Sequence, residues 1–205
     1  MAEGFKRRTP SRWGEGAALR DEILAAAARL LARSGREGDL SLRAVAREVG
    51  ISAPSIYLHF KDRAELVATV TQRAYEWLVA ELCEARERGS ADGPRAGLRA
   101  MVQRYCRLAL DNPRFYRLMF GIERIEVPRE ERAAHPVWLV SEVWAEAVAA
   151  CREERTGRAD DARVARLLWF SLHGVVAMAM STPFETDRRA LEEMADELLE
   201  VAMTR

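Results

Sequence analysis

The sequence is poor in the residues on which most enzyme chemistry is built. Its three histidines, His59, His135 and His173, lie far apart and none sits in an HExxH pattern. Its three cysteines, Cys83, Cys106 and Cys151, are also dispersed, with no Cys-x-x-Cys pair. That spacing argues against a disulfide framework and a local metal site, and favours a reducing compartment. A glycine-rich phosphate loop and a nucleophile elbow are both missing. These gaps weigh against an enzyme, leaving only a triad assembled in space as a catalytic rival, and no cofactor or metal is expected. Long hydrophobic runs are scarce too. The longest, LLWFSLHGVVAMAM at 167–180, has 14 residues and includes Ser and His. It is shorter than a bilayer span and suits a buried helix. The N-terminus, MAEGFKRRTPSRWGEG, lacks the apolar stretch of a signal peptide. The expectation is a soluble, cytoplasmic protein with no membrane partner. Repeats, low-complexity tracts and alternating strand patterns are absent as well.

Net charge is zero, with 32 basic and 32 acidic residues in 205. The charge is unevenly spread. Residues 1–63 hold 12 basic and 8 acidic side chains, so this front part is +4 and the remainder −4. A basic front on an acidic body fits an anionic partner for the front.

Helical periodicity fills most of the chain. Residues 1–16 are polar and basic and read as a flexible arm. In the helix expected at 17–33, Ile23, Leu24, Ala27, Leu30 and Leu31 form one apolar stripe. Gly35 is a candidate cap after it. Ser41 opens a second helix, which Gly50 breaks. Ser52 can cap a third, of about two turns, with Pro54 tolerated in its first turn. Asp62 and Glu65 make a capping-box start for a fourth helix reaching about residue 88. GSADGP at 89–94 is the clearest break. Further helices are expected at 95–110, 113–120, 136–154, 161–181 and 187–203, with a charged loop at 121–135.

The short second and third helices carry the functional signal. Ala46, Gly50 and Ile56 supply a small residue at a helix crossing, a turn residue tolerant of positive φ, and a branched inward residue. Together these describe a helix-turn-helix, whose second helix enters the major groove of DNA. Ser52, Ala53, Pro54, Ser55 and Tyr57 cluster at its leading end, where small groups allow close approach. His59, Lys61 and Arg63 add donors along one border, His59 being either a phosphate donor or a solvated surface group. Ser41 and Arg43 would grip the flanking backbone. Phe60 reads as core. Lys6, Arg7, Arg8 and Arg12 are either a minor-groove arm or a plain disordered tail.

SLRAVAREVGISAPSIYLHFKDRAELV closely resembles the signature of TetR-type transcriptional regulators, over about residues 17–68. Arg63 stands where that family usually has lysine. The resemblance implies an all-α homodimer with an N-terminal three-helix, helix-turn-helix DNA-binding domain, here 17–63. It also implies a C-terminal helical domain, 64–205, that binds an inducer and dimerises. Trp169, His173 and Gly174 resemble the Trp-His-Gly motif of one C-terminal subclass. Around them lie Met101, Tyr105, Phe115, Tyr116, Met119, Phe120, Trp138, Trp144, Met178 and Met180. Some of these are expected to line an apolar small-molecule pocket, with Trp169 beside them and His173 or Tyr105 as a polar contact. The alternative is that they are ordinary core. Leu191, Met194, Ala195, Leu198 and Ala202 form a stripe on the last helix. Pairing that helix and the apolar one before it with their copies would give a four-helix dimer interface. The expected function is a ligand-responsive regulator, most simply a repressor. As a homodimer it would bind an inverted-repeat double-stranded operator, and an apolar or amphipathic inducer would release it. A DNA-binding dimer without a ligand, or an activator, is the competing reading.

Overall fold

The computed structural model describes residues 16–34, 38, 40–120, 135–151, 158–181 and 187–204. Among the described residues the structure is helical throughout, as expected, with no strand. The helices are α1 (Gly16–Ser34), α2 (Leu42–Val49), α3 (Ala53–Ile56), α4 (Arg63–Gly89), α5 (Pro94–Asp111), α6 (Pro113–Phe120), α7 (Val137–Ala150), α8 (Arg158–Ser181) and α9 (Arg188–Met203). The basic arm, the Gly35 cap and nearly all of the 121–135 loop lie outside the described residues. The seventh helix ends at Ala150, four residues short of the expected 154.

The chain packs as two compact units, Met1–Ala74 with Arg114–Ile122, and Tyr75–Pro113 with Glu123–Arg205. The division therefore falls inside α4, some ten residues beyond the boundary read from the sequence. The cause is packing: Leu66, Val67 and Val70 of α4 complete the first core. The helix simply continues after that core ends.

In the first unit the α1 stripe buries Ile23, Leu24, Ala27 and Leu31 against Val45, Ala46, Ile56 and Phe60. Each large apolar side chain buried in this way contributes about 1.5–3 kcal/mol. Exposed ion pairs tie the helices at the rim. Glu48 accepts from Arg29 and Arg33, and Asp21 accepts from Arg73 at 2.7 Å. The Arg33 hydrogen bond, helped by Arg29, holds the Glu48 carboxyl below the usual range.

In the second unit α7 packs on α8, α8 on α9, and α5 on α7, α8 and α9. The core holds Leu98, Met101, Tyr105, Trp144, Leu168, Leu172 and Leu199, among others. An antiparallel polar ladder runs along the α5–α9 seam. Arg95 pairs with Glu200, Arg99 and Gln103 with Asp196, Arg107 with Glu192, and Asp111 with Arg188. The partners step by about four residues on both helices, one rung per turn. Surface ion pairs are worth only about 0–1 kcal/mol each, so the ladder selects the register of α9 more than it binds it.

The expected break at 89–94 is an ordered corner. Ser90–Asp92 form a 3-10 turn, and Ser90 Oγ donates to the Arg86 carbonyl at 2.7 Å. Helices α4 and α5 meet closely there because of two glycines. A Cβ on Gly97 would lie 2.3 Å from Ser90 Oγ and 2.9 Å from the Arg86 carbonyl oxygen. A Cβ on Gly89 would lie 2.7 Å from the Ala100 Cβ. Gly97→Ala is therefore expected to lower unfolding free energy by roughly 1–3 kcal/mol, the usual cost of overpacking. A urea titration checks this, and an unchanged midpoint would mean the corner yields freely.

Candidate functional site

The helix-turn-helix is built by its caps. Ser41 sits in extended conformation before α2 and its hydroxyl accepts the Ala44 N–H at 3.1 Å. At the other end Gly50 has φ 81° and ψ 27°. Its N–H bonds the Ala46 carbonyl, and the Ile51 N–H returns to the same oxygen at 3.0 Å. This is a Schellman-type stop, satisfying carbonyls that the helix end would leave bare. Ala46 and Ile56 are buried at the crossing, with Val45 beside them.

The third helix is shorter than expected. Only Ala53–Ile56 is α-helical. The chain keeps winding beyond it through tighter bonds. Tyr57 N–H donates to the Pro54 carbonyl, Leu58 N–H to Ser55, His59 N–H to Ile56 and Phe60 N–H to Ile56. Ile56 and Phe60, both essentially fully buried, pin this coil at its two ends. Arg20 lies over the Phe60 ring at 4.7 Å, closing that side. Ser52 does not cap the backbone with its side chain. Its hydroxyl instead pairs with that of Ser55 at 2.7 Å. Asp62 accepts the Glu65 N–H, and Glu65 reaches back to the Lys61 N–H at 2.6 Å. The capping box is thus present, displaced by one residue on its return bond.

Of the ten residues expected to face DNA, Ser41, Arg43, Ser52, Pro54, Tyr57, Lys61 and Arg63 are exposed, and Ala53, Ser55 and His59 are half-buried. Arg63 also has a structural duty: its Nε donates to the Leu40 carbonyl at 2.9 Å, tying the start of α4 to the residue before the α2 cap. The sequence reading missed Leu58, a large apolar side chain 84% exposed beside Tyr57. The tight winding after α3 turns it outward. Gly50→Val would force a β-branched residue into positive φ, at a cost of roughly 2 kcal/mol or more. A calorimetric scan should show the first unit melting earlier, and an unshifted melt would contradict the left-handed turn.

The residues expected to line a ligand pocket divide between the units. Phe115, Tyr116, Met119 and Phe120 are on α6, in the first unit, where the Tyr116 and Phe120 rings lie 4.9 Å apart. Met101, Tyr105, Trp169 and His173 belong to the second. Trp138 is half exposed at the start of α7, so it is not a core-lining residue of this unit. Met178 is likewise exposed on α8. In the second unit Tyr105 is the hub. The Trp169 indole N–H donates to its hydroxyl at 3.2 Å, and that hydroxyl lies 3.3 Å from His173 Nδ1. The Trp144 ring meets the Tyr105 ring edge-on at 5.8 Å.

On α9, Leu191 and Ala195 are buried within the protomer beside Leu199. They are therefore unavailable to a partner, contrary to the stripe read from the sequence. Met194 and Val201 are exposed, and Leu198 and Ala202 half-buried. Helix α8 is two-faced: Leu168, Trp169, Leu172 and Val176 are buried, while Leu167, Phe170 and Met178 are more than half exposed. At 24 residues α8 is also longer than its 14-residue apolar run, so length alone does not set it apart from a membrane helix.

Two family models match the chain. Residues 23–70 match that of bacterial regulatory proteins of the tetR family, and residues 98–202 that of the tetracyclin repressor-like C-terminal domain. The chain belongs to the TetR family. It is a transcriptional regulator with a DNA-binding helix-turn-helix, and not an enzyme. Solved structures agree in fold along most of both chains. A TetR-family transcriptional regulator from Mesorhizobium loti is 20% identical with a TM-score of 0.67, covering 92% of this chain and 96% of its own. The fatty acid degradation regulator FadR from Bacillus halodurans is 15% identical with a TM-score of 0.70, covering 87% and 96%. A protein of unknown function from Rhodococcus sp. is 25% identical with a TM-score of 0.66, covering 93% and 98%.

Burial lowers the pKa of His173, and of His135 where α7 begins, so both favour the neutral ring in this TetR regulator. A group whose folded pKa lies below its unfolded value stabilises the fold above the unfolded pKa, near 6.5. That contribution is lost as pH falls through the depressed folded value. The unfolding midpoint of the second unit should therefore drop between pH 7 and pH 5, and His173→Gln should flatten part of the drop, with His135 keeping the rest. An acid slope unchanged by the substitution would show that His173 does not titrate with folding.

Proposed function

We propose that this chain is a ligand-responsive repressor that binds an inverted-repeat operator as a homodimer. The observation that carries the reading is the outward set Arg43, Ser52, Tyr57, Leu58 and Lys61, presented by a segment whose ends are buried at Ile56 and Phe60. Serine hydroxyls and Lys61 suit phosphate oxygens and base edges, while Tyr57 and Leu58 offer apolar contact to sugars and thymine methyls. Reading an inverted repeat needs two such segments about one DNA turn apart, ~34–36 Å.

The exposed apolar stripe of α8 supports a partner copy as its cover. Leu167, Phe170, Gly174 and Met178 recur at helical spacing along it, and Met194 and Val201 are exposed on α9, which packs against α8. A Cβ at Gly174 would meet nothing within 4 Å, so the protomer itself does not need that glycine. A close crossing with a second α8 would. Repression would be relieved if an inducer prefers the conformation with misaligned reading segments, a coupling worth about 1–3 kcal/mol in typical cases. Helix α4, which contributes to both units, is the natural carrier of that coupling.

Selection of bound sequences from random DNA should return a two-fold symmetric site. Tyr57→Ala and Lys61→Ala are each expected to weaken binding to it about tenfold, with dimer and helicity intact. Gly174→Arg should yield a folded monomer by sedimentation. Wild-type affinity in both reading-segment variants would overturn the contact assignment, and a dimeric Gly174→Arg protein would overturn the α8 interface.

A further inference from the structure

The described cations of residues 16–74 sort into two groups. One group is engaged within the fold. Arg29 and Arg33 pair with Glu48, Arg73 pairs with Asp21, Arg20 lies over the Phe60 ring, and Arg63 donates to the Leu40 carbonyl. The other group is Arg43, Arg47 and Lys61, whose charged ends have no ion pair, hydrogen bond or ring contact among the described residues. Arg43 and Lys61 belong to the set expected from the sequence to face DNA. Arg47 does not.

The helix period sets its place on α2. At about 100° per residue, Arg47 lies about 40° from Arg43 and one turn further along, so the two share a side of the helix. Both are exposed. Ala46 is buried with Ile56 where α2 crosses α3, and Glu48 turns toward α1 to accept from Arg29 and Arg33. Passing around α2 outward from Ala46, the same period meets Arg43 first, then Arg47, then Ala44, and Glu48 last. The arginine pair therefore borders the reading segment, and the acid lies beyond it toward α1.

Charge is arranged to match. Glu48 is the only acid on α2, and two guanidinium groups from α1 offset it. The two arginines of α2 are offset by nothing among the described residues. Like charges four residues apart weaken a helix slightly, so stability does not account for the pair. A polyanion lying along that side of α2 does. A guanidinium is suited to phosphate oxygens, which it can meet with two parallel N–H bonds.

We propose that Arg47 binds a phosphate of the DNA backbone next to the one held by Arg43, so that α2 grips successive phosphates of one strand. This rests on the reading above, in which Arg43, Tyr57 and Lys61 face DNA, and adds a contact to it. A phosphate contact supplies affinity and register without reading sequence.

The test measures fluorescence anisotropy of the full-length protein on its selected operator and on a scrambled duplex of equal length, between about 50 and 200 mM salt. Arg47→Gln should flatten the slope of log affinity against log salt by about 0.9 for each protomer bound, and weaken both duplexes by a similar factor, roughly fivefold per protomer. Its melting temperature should stay at the wild-type value, because the side chain is exposed and makes no contact to lose. Arg47→Lys keeps the charge and should keep the slope. Arg73→Gln removes the same charge from an arginine already paired with Asp21 and should leave the slope unchanged. An unchanged slope in Arg47→Gln, a flattened slope in Arg47→Lys, an equal flattening in Arg73→Gln, or a loss confined to the operator each overturns the phosphate contact. If Tyr57→Ala and Lys61→Ala weaken binding while Arg47→Gln does not, the reading segment stands and Arg47 alone is excluded. If none of the three weakens it, the whole contact assignment falls.

Discussion

The reading segment has almost no stability of its own, and everything proposed for the first unit depends on how that deficit is met. Four α-helical residues are far too few to persist in water, where even helices of about 12–15 residues are marginal. Ile56 and Phe60 meet the deficit by inserting into the core formed by α1, α2 and the start of α4. Gly50 sets the angle of approach, and Arg63 and Asp62 fix the exit. Tyr57 and Leu58 are consequently held outward, with Leu58 the most exposed large apolar side chain among the described residues. Exposure here follows from the winding and from the two buried anchors, since the residue types alone would have favoured burying Leu58.

The second unit solves a different problem. Its helices are long enough to be stable through amphipathic packing, so its specificity comes from polar detail. The α5–α9 ladder distinguishes one register of two otherwise permissive apolar stripes. The glycine pair at the α4–α5 corner permits a close approach that fixes where α5 begins. Inside, Trp169, Tyr105 and His173 are linked by hydrogen bonds, while the Trp144 indole N–H has no acceptor among the described residues.

Much of this was legible from spacing. Ala46, Gly50 and Ile56 announced the crossing, and Asp62 with Glu65 announced the start of α4, because caps and turns depend on local chemistry. The length of α3 was not legible, since tight i to i+3 bonds continue a helical path without helical periodicity. The faces of α8 were not legible either. A helix apolar on all sides carries no period that says which side is inward. On α9, Leu191 and Met194 read as one stripe, yet three residues of rotation put one inside and the other outside. The expected pocket residues belong to two different units for a similar reason. Aromatic residues advertise a core but not which core, and α6 joins the first unit although it follows α5 directly. That the Trp144 N–H has no acceptor among the described residues is a property of three-dimensional surroundings, and no sequence pattern encodes it.

Native-state hydrogen exchange at individual amides tests the dependence of the reading segment on its anchors most directly. The amides of His59 and Phe60, both bonded to the Ile56 carbonyl, should open with the same free energy as those of Ile23 and Leu24 in α1, since all four report on one core. Exchange of His59 and Phe60 at nearly unprotected rates, while Ile23 and Leu24 remain slow, would show a reading segment that is loose on a stable scaffold and would contradict the account.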